Sequence, residues 1–450
     1  MRITRRTLLL GAGAGAVSVL LASCTPEPEP TPTPTRTREP EPPPGVPAPS
    51  GSIRSTWTTD PFARGAASFT PVGVLAATRT ALAQPVDDRL FFAGEATDDE
   101  APGTVRGALR SGRRAARELT VAAEDGERVA VIGAGIAGAT AAAQLAEDGL
   151  QVTVFEARDR VGGRILSRTG DDWPVPVQLG AWLFGDADAE LLDAIDEGDM
   201  DLVDLEGARW RSTEGDVDLV DPQPVEAAVT TAQAAPQDSS VADALVAAGI
   251  DPEDPATAAL LALLAARTGA DAADLSSWFA PPLPDAALQG VGDDLTPFIE
   301  STLDGVKVGL SSPVTRLAWD DTGVSVRLGT GEALSFDRVL LTVPLGVLQE
   351  QGIEFDPPLP FDNRGAVSAL GMGAIETVWL RWDEPFWDGD EAIWHAVGED
   401  IAIPTWINLR PSTGENVLVG IVGGAAARDF AELGEAEAVE AALGSLALYA

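Results

Sequence analysis

Residues 128–157 read RVAVIGAGIAGATAAAQLAEDGLQVTVFEA, and few arrangements satisfy such a run. An apolar stretch, a glycine-rich turn, an alanine-rich stretch and a second apolar stretch predict strand, helix and strand. Gly133 permits the tight turn, Gly135 lets backbone approach a pyrophosphate, and Gly138 lets the helix pack closely on the strand. Free amides at the helix N-terminus then face phosphate. Glu156 ends the second strand, where a carboxylate accepts ribose hydroxyls. The glycine triplet alone carries little weight; with strand, helix, strand and acid in order it marks a dinucleotide site.

The residues beyond Glu156 extend the pattern. EARDRVGGRI supplies Arg158, then Gly162, Gly163 and Arg164 in a compact loop. Further on stand VQLGAWLFG (177–185), VLLTVPLGVLQEQGIEFDPPLP (339–360) and LGMGAIETVWLRWDEPFW (370–387). Together these resemble the flavin-containing amine oxidase family, of monoamine and polyamine oxidase type. The resemblance implies FAD as cofactor, with Arg164 along its pyrophosphate and the backbone of Gly180 and Ala181 beside the flavin. It also implies that Val314, within VKVGLSSPVTRLAWDDTGVSVRL, touches the adenine. The alternative is a plain NAD-binding unit.

Two blocks stand in an unexpected place. STWTTDPFARGAASF (55–69) and FFAGEATDDEAPGTVRGALRSG (91–112) resemble the block that closes the family's chains, yet here they precede the first strand. EAEAVEAALGSLALYA, at 435–450, resembles the helix that normally leads into that block. No block occurs twice, so the order reads as circular permutation; a fragment fused before a truncated second copy is the competing account. TVAAEDGE, the only link between Leu119 and Arg128, spans at most roughly 26 Å at about 3.3 Å per residue, so the old termini must be neighbours. By position, Glu95 would hydrogen-bond the ribityl chain, against the plainer role of a surface-loop carboxylate. Gly103, Thr104 and Val105 would open a helix whose positive dipole end stabilises negative charge at the flavin N1–C2=O locus.

The expected architecture is therefore α/β and circularly permuted, with an FAD-binding Rossmann-like domain and a mixed sheet-and-helix substrate domain. The first is assembled from 61–120, 127–190 and 290–343. The second is assembled from 51–60, 191–289 and 344–450, with 226–269 read as helices.

The match fails at the chemistry. Counting four residues from Gly373, and back from Phe386, places Thr377 where the family carries a lysine that holds a water near flavin N5; Glu376 stands beside it. Lys307 is the only lysine of the chain. Ala67 replaces a family tyrosine, Ala101 replaces an aromatic, and Tyr449 is the sole tyrosine, which excludes a cage of paired tyrosines. Trp182, Trp379, Trp394 and Trp406 are candidates for the cleft or for the core, and His395 for a base or a structural role. Three readings stay open. One is an amine oxidase-type enzyme moving hydride from an amine or amino-acid-like C–N bond to FAD, with oxygen as acceptor. Another is a flavin desaturase or dehydrogenase with a different acceptor, and the third a flavin-binding lipoprotein without turnover.

The first fifty residues read as export. Arg5 and Arg6 precede LLLGAGAGAVSVLLA, and LASC ends at Cys24; the pattern resembles a twin-arginine signal with a lipoprotein cleavage box. Residues 1–24 are then a signal, Cys24 a lipid anchor on the extracytoplasmic face, and the proline-rich 25–50 an extended spacer. A short membrane anchor is the alternative, but the apolar run falls below the roughly 20 residues a span needs. One cysteine and one histidine rule out disulfides within the chain, iron–sulfur clusters and histidine-based metal sites. A net charge of -40 argues against nucleic acid as partner. It favours a cationic small-molecule substrate, although such acidity is more often a matter of solubility.

Overall fold

In the computed structural model, residues 42–283, 288–398 and 401–450 are described, and these fall within one compact unit. The residues proposed for export, Arg5, Arg6 and Cys24 among them, lie outside the described residues.

The glycine-rich run folds as strand Arg128–Ile132, helix Ile136–Glu147 and strand Gln151–Phe155. These strands sit at the centre of an all-parallel five-stranded sheet, flanked by Lys307–Gly309 on one side and by Arg338–Leu341, then Leu90–Phe92, on the other. Parallel strands need both faces covered, and alternate residues show how. Ala130, Ile132, Val339, Leu341, Leu90 and Phe92 pack towards a four-stranded sheet. Val129, Val131, Leu340 and Phe91 pack towards the helices.

The early block joins this sheet. Leu90–Phe92 pairs in parallel with Arg338–Leu341, and helix Val105–Ala122 lies against helix Ile136–Glu147. Small residues allow the close approach: a Cβ at Gly112 would stand 2.4 Å from the Ala137 carbonyl oxygen. Five residues, 123–127, return the chain to Arg128, and Glu127 anchors them through an ion pair to Arg338 Nε at 2.6 Å.

A seven-stranded sheet forms the second layer, ordered Gly51–Arg54, Ile375–Arg381, Val417–Gly423, Thr405–Asn408, Ile393–Ala396, Ala208–Ser212 and Gly215–Val217. Every neighbouring pair is antiparallel except Ala208–Ser212 with Ile393–Ala396. One face packs Trp394, Trp406 and Leu418 on helices Gly424–Glu432 and Glu435–Leu446. Tyr449 stacks on Trp394 at 4.7 Å, and a Cβ at Gly45 would lie 3.0 Å from that of Ala450. The stretch expected to be helical forms Gln223–Gln233, Val241–Ala247 and Pro255–Thr268. Ser240 and Asp254 cap the last two by accepting from the amides of Asp243 and Thr257.

The domain boundaries expected at 290 and 344 do not coincide with the strand pairing. Strand Glu354–Asp356 pairs in parallel with Val314–Asp320, and helix Phe361–Ala369 packs on Ala77–Ala83. Leu288–Val291 bridges Leu183–Phe184 and Leu202–Leu205. Segments adjacent in sequence are shared between layers because their apolar partners lie across the boundary.

Candidate active site

Two helix N-termini open onto one cavity of about 290 Å³. Ile136 begins one helix behind Gly135, with no side-chain cap. Val105 begins the other behind Thr104, whose Oγ1 accepts the Gly107 amide at 3.0 Å. Gly133 turns at φ +107°, and a Cβ there would strike Thr342 Oγ1 at 2.6 Å. At Gly135 a Cβ would meet only Gly162 O and Gly163 Cα, at 3.9 Å, and the residue borders the cavity where a phosphate would approach. The second glycine loop is stitched to the first: the Gly162 amide donates to Ala134 O at 2.8 Å, and a Cβ at Gly163 would stand 3.3 Å from Gly135 Cα.

The charges around the cavity are held by partners. Glu156 is buried, its two oxygens accepting the amides of Ala134 and Arg158, each at 2.8 Å. An ionised carboxylate keeps further lone pairs, enough for two ribose hydroxyls. Arg158 forms a two-pronged pair with Asp60 at 2.6 and 2.8 Å and lies over the Phe62 ring. Glu95 is 4% exposed, so it is no surface carboxylate. Its Oε2 accepts Ser68 Oγ at 2.5 Å and the Gly103 amide at 2.8 Å, and Arg164 Nη1 donates to its Oε1 at 2.8 Å. Burial alone would raise the Glu95 pKa; Arg164, Ser68 and Arg79 outweigh it and hold the carboxyl below its ordinary range.

Glu95, Gly103, Thr104, Val105, Gly133, Gly135, Glu156, Arg158, Gly162, Gly163, Arg164, Ala181 and Val314 all border this cavity. Gly138 and Gly180 stand behind its wall, where Cβ atoms would meet the carbonyl oxygens of Gly133 and Arg164, each at 2.0 Å. Thr377 is also absent from the lining. It belongs to strand Ile375–Arg381 of the second sheet, 8% exposed, its Oγ1 buried without a hydrogen-bond partner among the described residues. Glu376 is wholly buried and accepts Ser55 Oγ at 2.5 Å and the amides of Trp57 and Thr58 at 3.1 and 2.8 Å. Trp182, Trp379, Trp394 and Trp406 are all core residues. His395 packs on Trp210 at 4.3 Å between ring centroids, and burial pushes its pKa down to about 4, so the ring is neutral.

Three contributors escape sequence reasoning. Asp60 fixes Arg158, Ser68 bridges to Glu95, and buried Arg79 donates to Ser68 Oγ at 2.8 Å and to Ala96 O at 3.0 Å. Asp60 and Ser68 stand within the 55–69 block, so that block carried a signal for both; Arg79 obeys no spacing a sequence would reveal.

Residues 40–120 and 251–449 match the family model for flavin containing amine oxidoreductases, and residues 131–197 that for an NAD(P)-binding Rossmann-like domain. This chain belongs to the flavin-containing amine oxidase family. Polyamine oxidase 4 of Oryza sativa subsp. japonica is 28% identical over 358 residues, covering 71% of this chain and 72% of the relative. Probable polyamine oxidase 4 of Arabidopsis thaliana is 30% identical over 350 residues, 68% of each chain. Among solved structures, a wild-type putrescine oxidase bound to putrescine superposes with a TM-score of 0.58 at 21% identity, covering 72% of this chain and 81% of that one. Cyclohexylamine oxidase from Brevibacterium oxydans IH-35A gives 0.58 at 21% identity over 71% and 80%. The protein is an amine oxidase-type flavin oxidoreductase with FAD as cofactor, and the cavity border at Gly135, the paired helix ends and Glu156 fit that cofactor.

Proposed function

We propose that this flavoenzyme oxidises a small amine at its C–N bond and passes the electrons to oxygen. The observation that carries the reading is the convergence of two helix N-termini and the Glu95–Arg164 pair on one cavity. Bound FAD supplies the two-electron acceptor. The chain's own part is to hold the reactants in line and exclude water, which demands positioning more than a dedicated base. The Thr104–Val105 helix end is placed to favour negative charge at the cavity, and the names of the polyamine oxidase relatives favour an amine. Anaerobic addition of an amine panel should bleach the flavin. Retention of the yellow oxidised spectrum with every amine would leave a flavin-binding protein without turnover.

Thr377 favours a second reading. A neutral hydroxyl stands where the family carries a lysine, and Lys307 lies in a strand of the other sheet. An acceptor other than oxygen then suits the chain, and re-oxidation by a quinone faster than by air would establish it.

We also propose that the chain is exported, anchored by lipid at Cys24, and circularly permuted. The permutation is supported by the parallel pairing of Leu90–Phe92 with Arg338–Leu341 and by the nearness of Gly45 to Ala450. A chain joined from Ala450 to Gly45 by a short Gly/Ser linker and opened at Asp125–Gly126 should fold and bind FAD. An insoluble, colourless product would count against the rotated order.

A further inference from the structure

The residues from Trp57 to Ala66 run along the cofactor cavity and are tied to the body of the protein at each end. At the first end Glu376 accepts the amides of Trp57 and Thr58, and Trp57 Nε1 donates to Leu179 O at 2.6 Å. At the other, the Ala66 amide donates to Gly373 O at 2.8 Å. A Cβ at Gly346 would stand 2.5 Å from Arg64 O, so this end also presses on helix Leu345–Gln349. The turn between is closed by Asp60, whose carbonyl accepts the Ala63 and Arg64 amides at 3.2 and 2.9 Å. Pro61 and Phe62, exposed on the turn, border the cavity.

This one segment takes hold of both cavity-lining arginines of the EARDRVGGR loop. Ala66 O accepts Arg164 Nη1 at 2.8 Å. Asp60 takes both terminal nitrogens of Arg158, at 2.6 and 2.8 Å, and its Oδ1 also accepts the Phe62 amide at 2.8 Å. A forked pair of this kind fixes orientation as well as distance. The Arg158 guanidinium lies 5.5 Å from the Phe62 ring centre and 5.9 Å from that of Trp57. The two side chains are 13 and 20% exposed, which sets them apart from freely solvated surface pairs.

An arginine free to swing would have to be ordered when a cofactor binds, at a cost in side-chain entropy. Asp60 orders it beforehand and uses two of its five N–H groups, leaving three. Asp60 itself is absent from the cavity lining, whereas Arg158 and Phe62 belong to it. Its influence on a bound group therefore passes through them. We propose that Asp60 is a positioning residue for cofactor retention: it holds Arg158 in the wall of the occupied cavity, and release of FAD requires this pair to part. The proposal concerns FAD binding alone and holds whether or not an amine is turned over.

The test times FAD release from the loaded protein after dilution, read by flavin fluorescence. Asp60→Asn should speed release about three- to thirty-fold, as loss of one partner of a shielded charge pair predicts. Arg158→Gln should do the same, and Asp60→Asn should add little in the Arg158→Gln background. Asp60→Glu, which keeps the carboxylate, should release FAD more slowly than Asp60→Asn. A purely structural Asp60 would speed release equally in both backgrounds, and that result would overturn the proposal. So would unchanged release, or slower release because the carboxylate had been repelling the pyrophosphate. Should Asp60→Asn fail to fold, Phe62→Ala decides, since a ring 38% exposed can be lost without opening the core. Faster release that disappears in the Arg158→Gln background would uphold the proposal, and release at the wild-type rate would overturn it.

Discussion

Arg164 Nη1 lies 2.8 Å from Glu95 Oε1, closing an ion pair between residues 69 positions apart that border one cavity. Glu95 precedes the glycine-rich strand and Arg164 comes after it, so the pair exists only when the early block docks on the parallel sheet. It ties cofactor site to fold.

Arg164→Leu should strip buried Glu95 of its direct ion-pair partner and leave it only the Ser68 and Gly103 donors and the charge of Arg79, a loss below the roughly 3–5 kcal/mol of a fully stranded buried charge. Because the Glu95 pKa is depressed in the folded state, its contribution is present above the unfolded value of about 4.3 and is lost as pH falls through the folded value. Thermal melts of wild type and variant should therefore differ most near neutral pH and converge on acidification. A gap that widens in acid would contradict the assigned pair.

Gly135 and Gly138 should separate cofactor capture from folding. A Cβ at Gly135 makes ordinary van der Waals contacts at 3.9 Å with Gly162 O and Gly163 Cα, whereas one at Gly138 would sit 2.0 Å from Gly133 O. Gly135→Val should melt near wild type yet emerge colourless, and Gly138→Val should lose several degrees of Tm. Lys307→Ala, at an exposed position, should remain yellow. Equal flavin absorbance in Gly135→Val and wild type would show that the phosphates bind elsewhere.

Thr377→Lys tests the acceptor. An ammonium in place of the Thr377 hydroxyl, unpartnered among the described residues, should speed flavin re-oxidation by oxygen more than flavin reduction by substrate, read by stopped-flow in each half-reaction. Unchanged re-oxidation in a folded variant would separate this position from oxygen chemistry.

Cys24→Ala should release the protein from membranes into the soluble fraction while leaving its flavin in place. Membrane attachment undiminished by that change would remove the lipid anchor.

The run from Arg128 to Ala157 determined the parallel unit by itself, because glycines at 133, 135 and 138, with an acid at 156, encode turn, phosphate approach, close packing and sugar contact locally. The early block was legible for the same reason: its glycine and helix-start pattern survives displacement along the chain. Its docking, however, depends on Gly112 meeting Ala137 and on Leu90–Phe92 finding Arg338–Leu341, contacts no local pattern specifies. Domain limits part from the local pattern where strand Glu354–Asp356 crosses between layers, since pairing partners are chosen by long-range burial. Thr377 was found by counting, but its register with Ile421, Thr405, His395 and Trp210 was decided only by the sheet. Two threonines, a histidine and a tryptophan scattered from 210 to 405 carry no sequence signal. Cross-strand alignment brings them onto one face of the sheet, and that alignment exists only in the folded chain.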